Sequence, residues 1–181
     1  MRAPMQGSYD SNDFAGLLES LSESILKMVA PGAAFNLVGI RTRGEVIARR
    51  LLDILQKRCD SPIGFGVLDI TLYRDDLSEV GPRPLVRPTV LSFDIDKRPL
   101  ILIDDVLFTG RTVRAALDAL ADYGRPSAVR LAVLVDRGGR ELPIQADIVA
   151  LSLGELALTQ VVKVKVADRD GYDGIEIQSR S

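Results

Sequence analysis

This sequence predicts an α/β fold with a mostly parallel central sheet flanked by helices, and three observations predict it. Apolar runs of strand length recur at 35–40, 100–103 and 129–135. Stretches with helical spacing of apolar residues stand between them, the alternation expected of right-handed βαβ units. The later runs are apolar nearly throughout rather than alternating, as strands covered by helices on both faces are. A length of 181 residues suits one domain with a sizeable core.

The elements follow in order. Residues 1–12 (MRAPMQGSYDSN) are polar and without period, and read as a loose arm. From 13 to 29, Phe14, Leu17, Leu18, Leu21, Ile25, Leu26 and Val29 recur at helical spacing, with Ser11 and Asn12 as the capping residues. Pro31 and Gly32 stop that helix. A strand at 35–40 and a polar turn at 41–44 lead into an amphipathic helix over 45–57. Residues 66–73 (GVLDITLY) are rich in β-branched side chains and read as a strand. The stretch 74–88 carries Pro82, Pro84, Pro88, Gly81 and several charges, and loops of that length are functional or mobile. The strand at 100–103 ends in a polar turn, 104–110. A helix follows over 111–123, with Val113, Ala116, Leu117 and Leu120 on its apolar face and Gly124 after it. After the strand at 129–135, residues 161–166 alternate Val with Lys163 and Lys165, as a half-exposed strand does. Residues 171–178 read as a turn and a last strand. Neither repeats nor a second domain are visible.

Composition removes whole classes of chemistry. Cys59 is the only cysteine and there is no histidine. Intrachain disulfides, cysteine metal clusters, histidine triads and histidine bases are therefore excluded. Catalysis must rest on carboxylates, Arg, Lys, Tyr, hydroxyls, backbone dipoles or a metal borrowed from a substrate. A formal net charge of -2 gives no overall pull toward nucleic acid or anionic membrane, although a local basic face is compatible with it. No apolar run approaches membrane-spanning length and no basic-then-apolar leader opens the chain, so a cytoplasmic protein with no membrane partner is expected.

The segment that carries chemistry is ILIDDVLFTGRT, 101–112. An apolar strand ends in Asp104 and Asp105, and Thr109, Gly110, Arg111 and Thr112 open a helix. Ligands of open α/β sheets bind beyond the carboxyl ends of the strands. A helix N-terminus there offers unpaired N–H groups and a positive dipole end, which suit a phosphate monoester. Gly110 permits close backbone approach, Thr109 and Thr112 donate hydroxyls, and adjacent carboxylates accept from two neighbouring hydroxyls. Acids beside a phosphate cradle describe a phosphorylated sugar with a vicinal diol. Taken alone, the same residues also fit a capped strand end and a capped helix. No GxxxxGK[ST] occurs, and the one G-x-G, at Gly64 and Gly66, lacks the third glycine. A second strand–turn–helix, Val38 to Gly44, sets Arg41 and Arg43 around Thr42. It fits pyrophosphate or an ordinary βα turn with solvated arginines.

The 101–112 motif resembles the binding signature for 5-phosphoribosyl-1-pyrophosphate (PRPP) in type I phosphoribosyltransferases. Together with LDITLYRDDL (68–77) and VLVDRGGRELPIQAD (133–147), it makes the chain similar to the PyrR family from about 36 to 147 and again at VVKVKV. Those proteins combine a uracil phosphoribosyltransferase with an RNA-binding attenuator of pyrimidine operons. The resemblance implies a type I phosphoribosyltransferase fold with a small hood, placed at about 136–160, and a loop at about 74–88 that closes over PRPP. By position, Asp104 and Asp105 would hold the ribose hydroxyls, and Arg74 with Tyr73 and Asp75 would begin the closing loop. Val106, Leu107, Phe108, Thr109, Gly110, Arg111 and Thr112 would hold the 5-phosphate. Arg41, Thr42, Arg43 and Gly44 would hold pyrophosphate, in a loop that in this family carries a cis peptide. Val135, Asp136, Arg137 and Gly138 would form the base site. Mg2+ would arrive on the oxygens of PRPP, with no direct protein ligand, and the assembly would be a homodimer or a higher homo-oligomer.

The RNA function is where this sequence departs from that pattern. Gly139 stands where the family has His, Gln145 where it has Arg, and ALSLGEL (150–156) where it has a GKNIPTS-like loop. Arg140 remains from the basic surface associated with RNA. Two readings therefore stand: a uracil phosphoribosyltransferase with weak or absent RNA control, or an attenuator that senses UMP or UTP and binds messenger RNA, with catalysis secondary. A transferase for another base is a third.

Overall fold

The computed structural model describes residues 7–75 and 86–179. Its order is β1 (Ser8–Tyr9), α1 (Ser11–Met28), β2 (Phe35–Ile40), α2 (Arg43–Leu55), β3 (Ile63–Leu68), a 3-10 turn at Thr71–Tyr73 and β4 (Val90–Leu91). There follow β5 (Pro99–Leu107), α3 (Arg111–Ala121), β6 (Ala128–Asp136), β7 (Ile148–Ser152), β8 (Gln160–Lys165), α4 (Ala167–Asp170) and β9 (Gly174–Ser179).

The main sheet has six strands in the order β4-β3-β2-β5-β6-β7. Every neighbouring pair in it is parallel except β3 with β4. Alternation along each strand divides its side chains between two cores. On one face Leu37, Ile101, Ile103 and Leu134 pack with Phe14, Leu21 and Ile25 of α1 and with Ile47 and Leu51 of α2. On the other face Val38, Leu102 and Val133 meet Val113, Ala116 and Leu120 of α3. The strands read as apolar throughout because both of their faces are covered.

The structure departs from the sequence reading at several elements. Residues 8–12 are not a loose arm. Ser8 and Tyr9 pair with Glu176 and Ile175 of β9, and the cap of α1 is Asp10 rather than Ser11 or Asn12. Its carboxylate accepts from the Asn12 and Asp13 N–H groups at 2.8 and 3.0 Å, and Asp13 returns the bond to Asp10, closing a capping box. β5 runs on to Leu107, so Asp104 and Asp105 lie within the strand, because Val106 and Leu107 still pair with Val135 and Asp136. The span 136–160, expected as the hood, is in part main sheet. Ile148–Ser152 joins the main sheet beside β6, and the second sheet is the three-stranded β1-β9-β8, built from both termini. Of the expected closing loop, 76–85 lies outside the described residues. Among those described, no helix is long and apolar enough to cross a membrane.

Candidate active site

β2 and β5 are parallel neighbours, with Gly39 opposite Ile103. The turns leaving their carboxyl ends therefore open side by side, and they are the two motifs singled out in the sequence. Their closeness depends on Gly44, where a Cβ would sit 2.6 Å from the Ile103 carbonyl oxygen. The N-terminus of α2 is thereby brought against β5.

In the first turn the Arg41–Thr42 peptide is cis, as the family resemblance implies. Thr42 occupies the cap position of α2, yet its hydroxyl makes no capping hydrogen bond. Arg41 donates to the Pro88 carbonyl at 3.0 Å and lies 3.5 Å from Glu45. Arg43 donates to Asp170 at 3.0 Å. Among the described residues, the Nε atoms of Arg41 and Arg43 are buried without a hydrogen-bond partner. Two such donors in one turn fit an anionic ligand, because a buried N–H left unpaired costs about 1–3 kcal/mol.

Near the end of β5, Asp104 is 5% exposed and its Oδ1 accepts the Asp105 N–H at 2.9 Å. Burial first, and the adjacent Asp105 carboxylate second, push the Asp104 carboxyl well above its ordinary range, against the opposing charge of Arg74. Burial also raises Asp105, while its bond to Asp104 and the charge of Arg43 pull the other way. Gly110 caps α3 at φ 92°, a left-handed geometry suited to glycine.

Two adjoining cavities gather these groups. One, of about 190 Å3, is lined by the Arg41–Thr42–Arg43 turn, Asp104, Asp105 and Arg74. The other, of about 180 Å3, is lined by Arg74, Asp75, Thr109, Arg111 and Thr112. Arg74 and Thr112 border both. One cavity thus combines a carboxylate pair with cations, and the next offers hydroxyls, cations and the N-terminus of α3. Among the described residues, no group of three or more carboxylate, Cys or His side chains is placed to hold a metal. The pair Asp104 and Asp105 suits a Mg2+ that keeps several waters and takes one or two carboxylates together with substrate phosphates.

The remaining predicted residues divide. Val106 and Phe108 face a third cavity of about 480 Å3, with Arg137, Glu141, Leu158, Val161 and Val162. The Leu107 side chain is core, 2% exposed, so only its backbone can serve a ligand. Val135 is fully buried. Asp136 Oδ1 accepts the Gly138 N–H at 2.9 Å, and Oδ2 pairs with Arg140 at 2.5 Å. Arg137, 4% exposed, donates to the Gln160 and Ala157 carbonyls at 2.6 and 3.3 Å and lies 4.0 Å over the Phe108 ring. Arg140 turns inward as well, donating to the Ile144 and Phe108 carbonyls, each at 2.9 Å. It ties the 137–144 segment to β5 rather than presenting charge outward.

Sequence reasoning missed Asp170, Glu141 and Arg114. Glu141 accepts from Arg111 at 2.7 Å and borders the third cavity. Arg114 holds the Tyr73 carbonyl at 3.1 Å and the Asp75 carboxylate, so it ties α3 to the residues just before 76. Only for Arg114 was there a local signal, since it stands one helical turn after Arg111 on the same face.

Residues 9–168 match the model of the phosphoribosyl transferase domain. The chain is 48% identical over 168 residues, 93% of each chain, to the Bifunctional protein PyrR of Elusimicrobium minutum. It is 54% identical over 144 residues to its namesake from Thermus thermophilus, covering 80% of this chain and 79% of that one. A variant of the Trypanosoma cruzi hypoxanthine phosphoribosyltransferase, complexed with the product IMP, superposes with a TM-score of 0.68 at 14% identity, over 98% of this chain and 93% of that one. At that identity the likeness concerns the fold. The chain belongs to the phosphoribosyltransferase family and, within it, to the proteins that carry the name Bifunctional protein PyrR.

Proposed function

We propose that this chain transfers the phosphoribosyl group of PRPP to uracil, giving UMP and pyrophosphate. The observation that carries the reading is the meeting, across two adjoining cavities, of buried Asp104 and half-buried Asp105, two arginine Nε atoms without a partner among the described residues, and a helix N-terminus. Asp104 and Asp105 accept from the ribose hydroxyls, which bring donors to carboxylates that burial has stripped of water. Thr109, Thr112 and the first-turn N–H groups of α3 hold the 5-phosphate, with Arg111 beside them. Arg41, Thr42 and Arg43 hold the departing pyrophosphate.

At the anomeric carbon the bond to pyrophosphate breaks and the bond to uracil N1 forms. By analogy with glycoside chemistry the transition state has oxocarbenium character. Alignment and charge on the leaving group matter more than a strong base, which suits a site without histidine. Mg2+ would be carried on PRPP, with Asp104 and Asp105 lining the cavity that receives it, and would supply further charge to the leaving group. The base lies in the third cavity, against Val106 and Phe108. There Arg137 serves by fixing the wall, since its own N–H groups reach the Gln160 and Ala157 carbonyls. Arg74 and Asp75 stand at the root of the closing segment, and assembly as a homodimer or larger homo-oligomer belongs to the same reading.

The enzyme reading is preferred to the attenuator one because Arg140, the cation expected to meet RNA, is engaged internally with the Ile144 and Phe108 carbonyls and Asp136. Phosphate neutralisation by available cations dominates RNA affinity. Incubation with PRPP, Mg2+ and each free base, watching for nucleotide and pyrophosphate, tests the proposal. UMP from uracil is expected. No product with any base would move the assignment to a protein that senses UMP or UTP and binds messenger RNA.

A further inference from the structure

Arg43 is held from behind. Its Nη2 donates to both oxygens of Asp170, at 3.0 and 3.3 Å, across 127 positions of sequence. Asp170 closes α4 in the connection between β8 and β9, beyond the span of the family model, which ends at 168. The carboxylate is itself fixed, because Oδ2 accepts the Val166 N–H at 2.9 Å and Lys165 Nζ lies 3.7 Å from Oδ1. That backbone bond, and then Arg43, hold its carboxyl below the ordinary value. The guanidinium so anchored lines the cavity of Asp104 and Asp105, and its Nε is buried without a partner among the described residues. A neighbouring contact gives a comparison: Arg50 of α2 binds Asp168 and Asp173 of the same connection at 2.5 and 2.9 Å.

From this geometry we infer that Asp170 is a positioning residue for the pyrophosphate turn, holding Arg43 in one orientation with its remaining donors toward the substrate. The inference rests on the assignment of residues 41–44 to pyrophosphate. Two effects of Asp170 oppose each other. Its negative charge subtracts from the attraction for an anion, and its hydrogen bonds remove in advance the rotational freedom that binding would otherwise have to freeze. The Arg43 side chain is 34% exposed, so solvent and salt weaken the charge effect. Orientation is not screened in this way and is the larger effect.

Calorimetry of the full chain with Mg2+ and inorganic pyrophosphate, together with PRPP kinetics, tests this on wild type, Asp170→Asn and Asp168→Asn. The amide at 170 keeps an acceptor for the Val166 N–H but loses the charged grip on Arg43. It should raise the pyrophosphate Kd and the PRPP KM about three- to ten-fold, with kcat nearly unchanged. Asp168→Asn loosens the same connection through Arg50 and should leave both constants at their wild-type values. An equal rise in the two variants would show general stiffening instead, and an unchanged or lower KM in Asp170→Asn would make Asp170 a competitor for Arg43. Either result overturns the inference. Wild-type chain that binds no pyrophosphate would overturn the underlying assignment, and that failure is visible before any substitution is made. Should Asp170→Asn not fold, Asp170→Glu carries the test, since it keeps the charge and displaces the anchor by one methylene. A raised KM is expected there, and an unchanged one refutes the idea.

Discussion

Arginine serves two opposite purposes on the two sides of this site. On the pyrophosphate side Arg41 and Arg43 are each held at one end and line the cavity of Asp104 and Asp105. On the base side Arg137 and Arg140 lie among backbone carbonyls, where they shape a wall. Sequence gives all four the same prior, a cation for a phosphate or a base. What separates them is the supply of acceptors. Leu107, Phe108, Ala157 and Gln160 stand in irregular or strand-end backbone whose carbonyls need donors, and an arginine satisfies several at once. Near residues 41–43 the backbone continues into α2, and both arginine side chains, each tied elsewhere, line the cavity of Asp104 and Asp105.

Three substitutions would break or sharpen that contrast. The largest effect belongs to Asp105→Asn, which removes a carboxylate from the ribose side without changing its shape. We expect kcat/KM for PRPP to fall about 10²- to 10³-fold while the folded circular dichroism spectrum is kept. Wild-type turnover would refute the placement of the ribose. Next, Arg137→Met leaves two carbonyls without their donor and should lower the unfolding free energy by about 2–4 kcal/mol in urea titration. Arg43→Met should do the reverse, moving the urea midpoint little and raising the PRPP KM about ten-fold. If both variants behaved alike, the division into holding and binding arginines would collapse.

Gly139 sharpens the base side further. It has φ 72°, and a Cβ there would meet the Phe108 ring at 2.6 Å. Gly139→Ala should therefore cost about 1–3 kcal/mol, from backbone strain and from displacement of Phe108. The uracil KM should rise as the ring moves, and a neutral result would mean that Phe108 yields freely.

Much of this could be read before the structure. The strand–turn–helix segments at 38–44 and 101–112 are local, and their residue types state their chemistry without tertiary information. α2 and α3 announced themselves by period, and β2 and β6 as apolar runs of strand length. The unread parts depend on distant pairing. β7 (Ile148–Ser152) is short and only partly buried, and it becomes a strand because β6 lends it an edge. Ser8 and Tyr9 need β9, which lies at the far end of the chain. Asp104 and Asp105 looked like a turn because acids rarely occupy central strands, and only the pairing of Val106 and Leu107 keeps them extended. Asp170 reads as one more acid in ADRDGYD until the fold sets it against Arg43.

The smallest effect separates the two sides by pH. Burial and mutual repulsion raise Asp104, so the folded chain keeps a proton there that the unfolded chain has already released. Between the ordinary carboxyl value, about 4, and the raised folded value, the native state binds more protons than the unfolded one. Stability must then fall as pH rises across that window, and it levels off above it, with each unit of elevation worth about 1.4 kcal/mol. Asp104→Asn removes the group, so its urea stability should vary less with pH and exceed that of wild type by a margin that grows toward neutral pH. Arg140→Met, on the base side, should be less stable than wild type while leaving this dependence in place. Parallel pH profiles for wild type and Asp104→Asn would mean that Arg74 and Arg43 already offset the burial of the pair. In that case the acid side, like the base side, would be a neutralised structural network rather than a site held ready for a sugar.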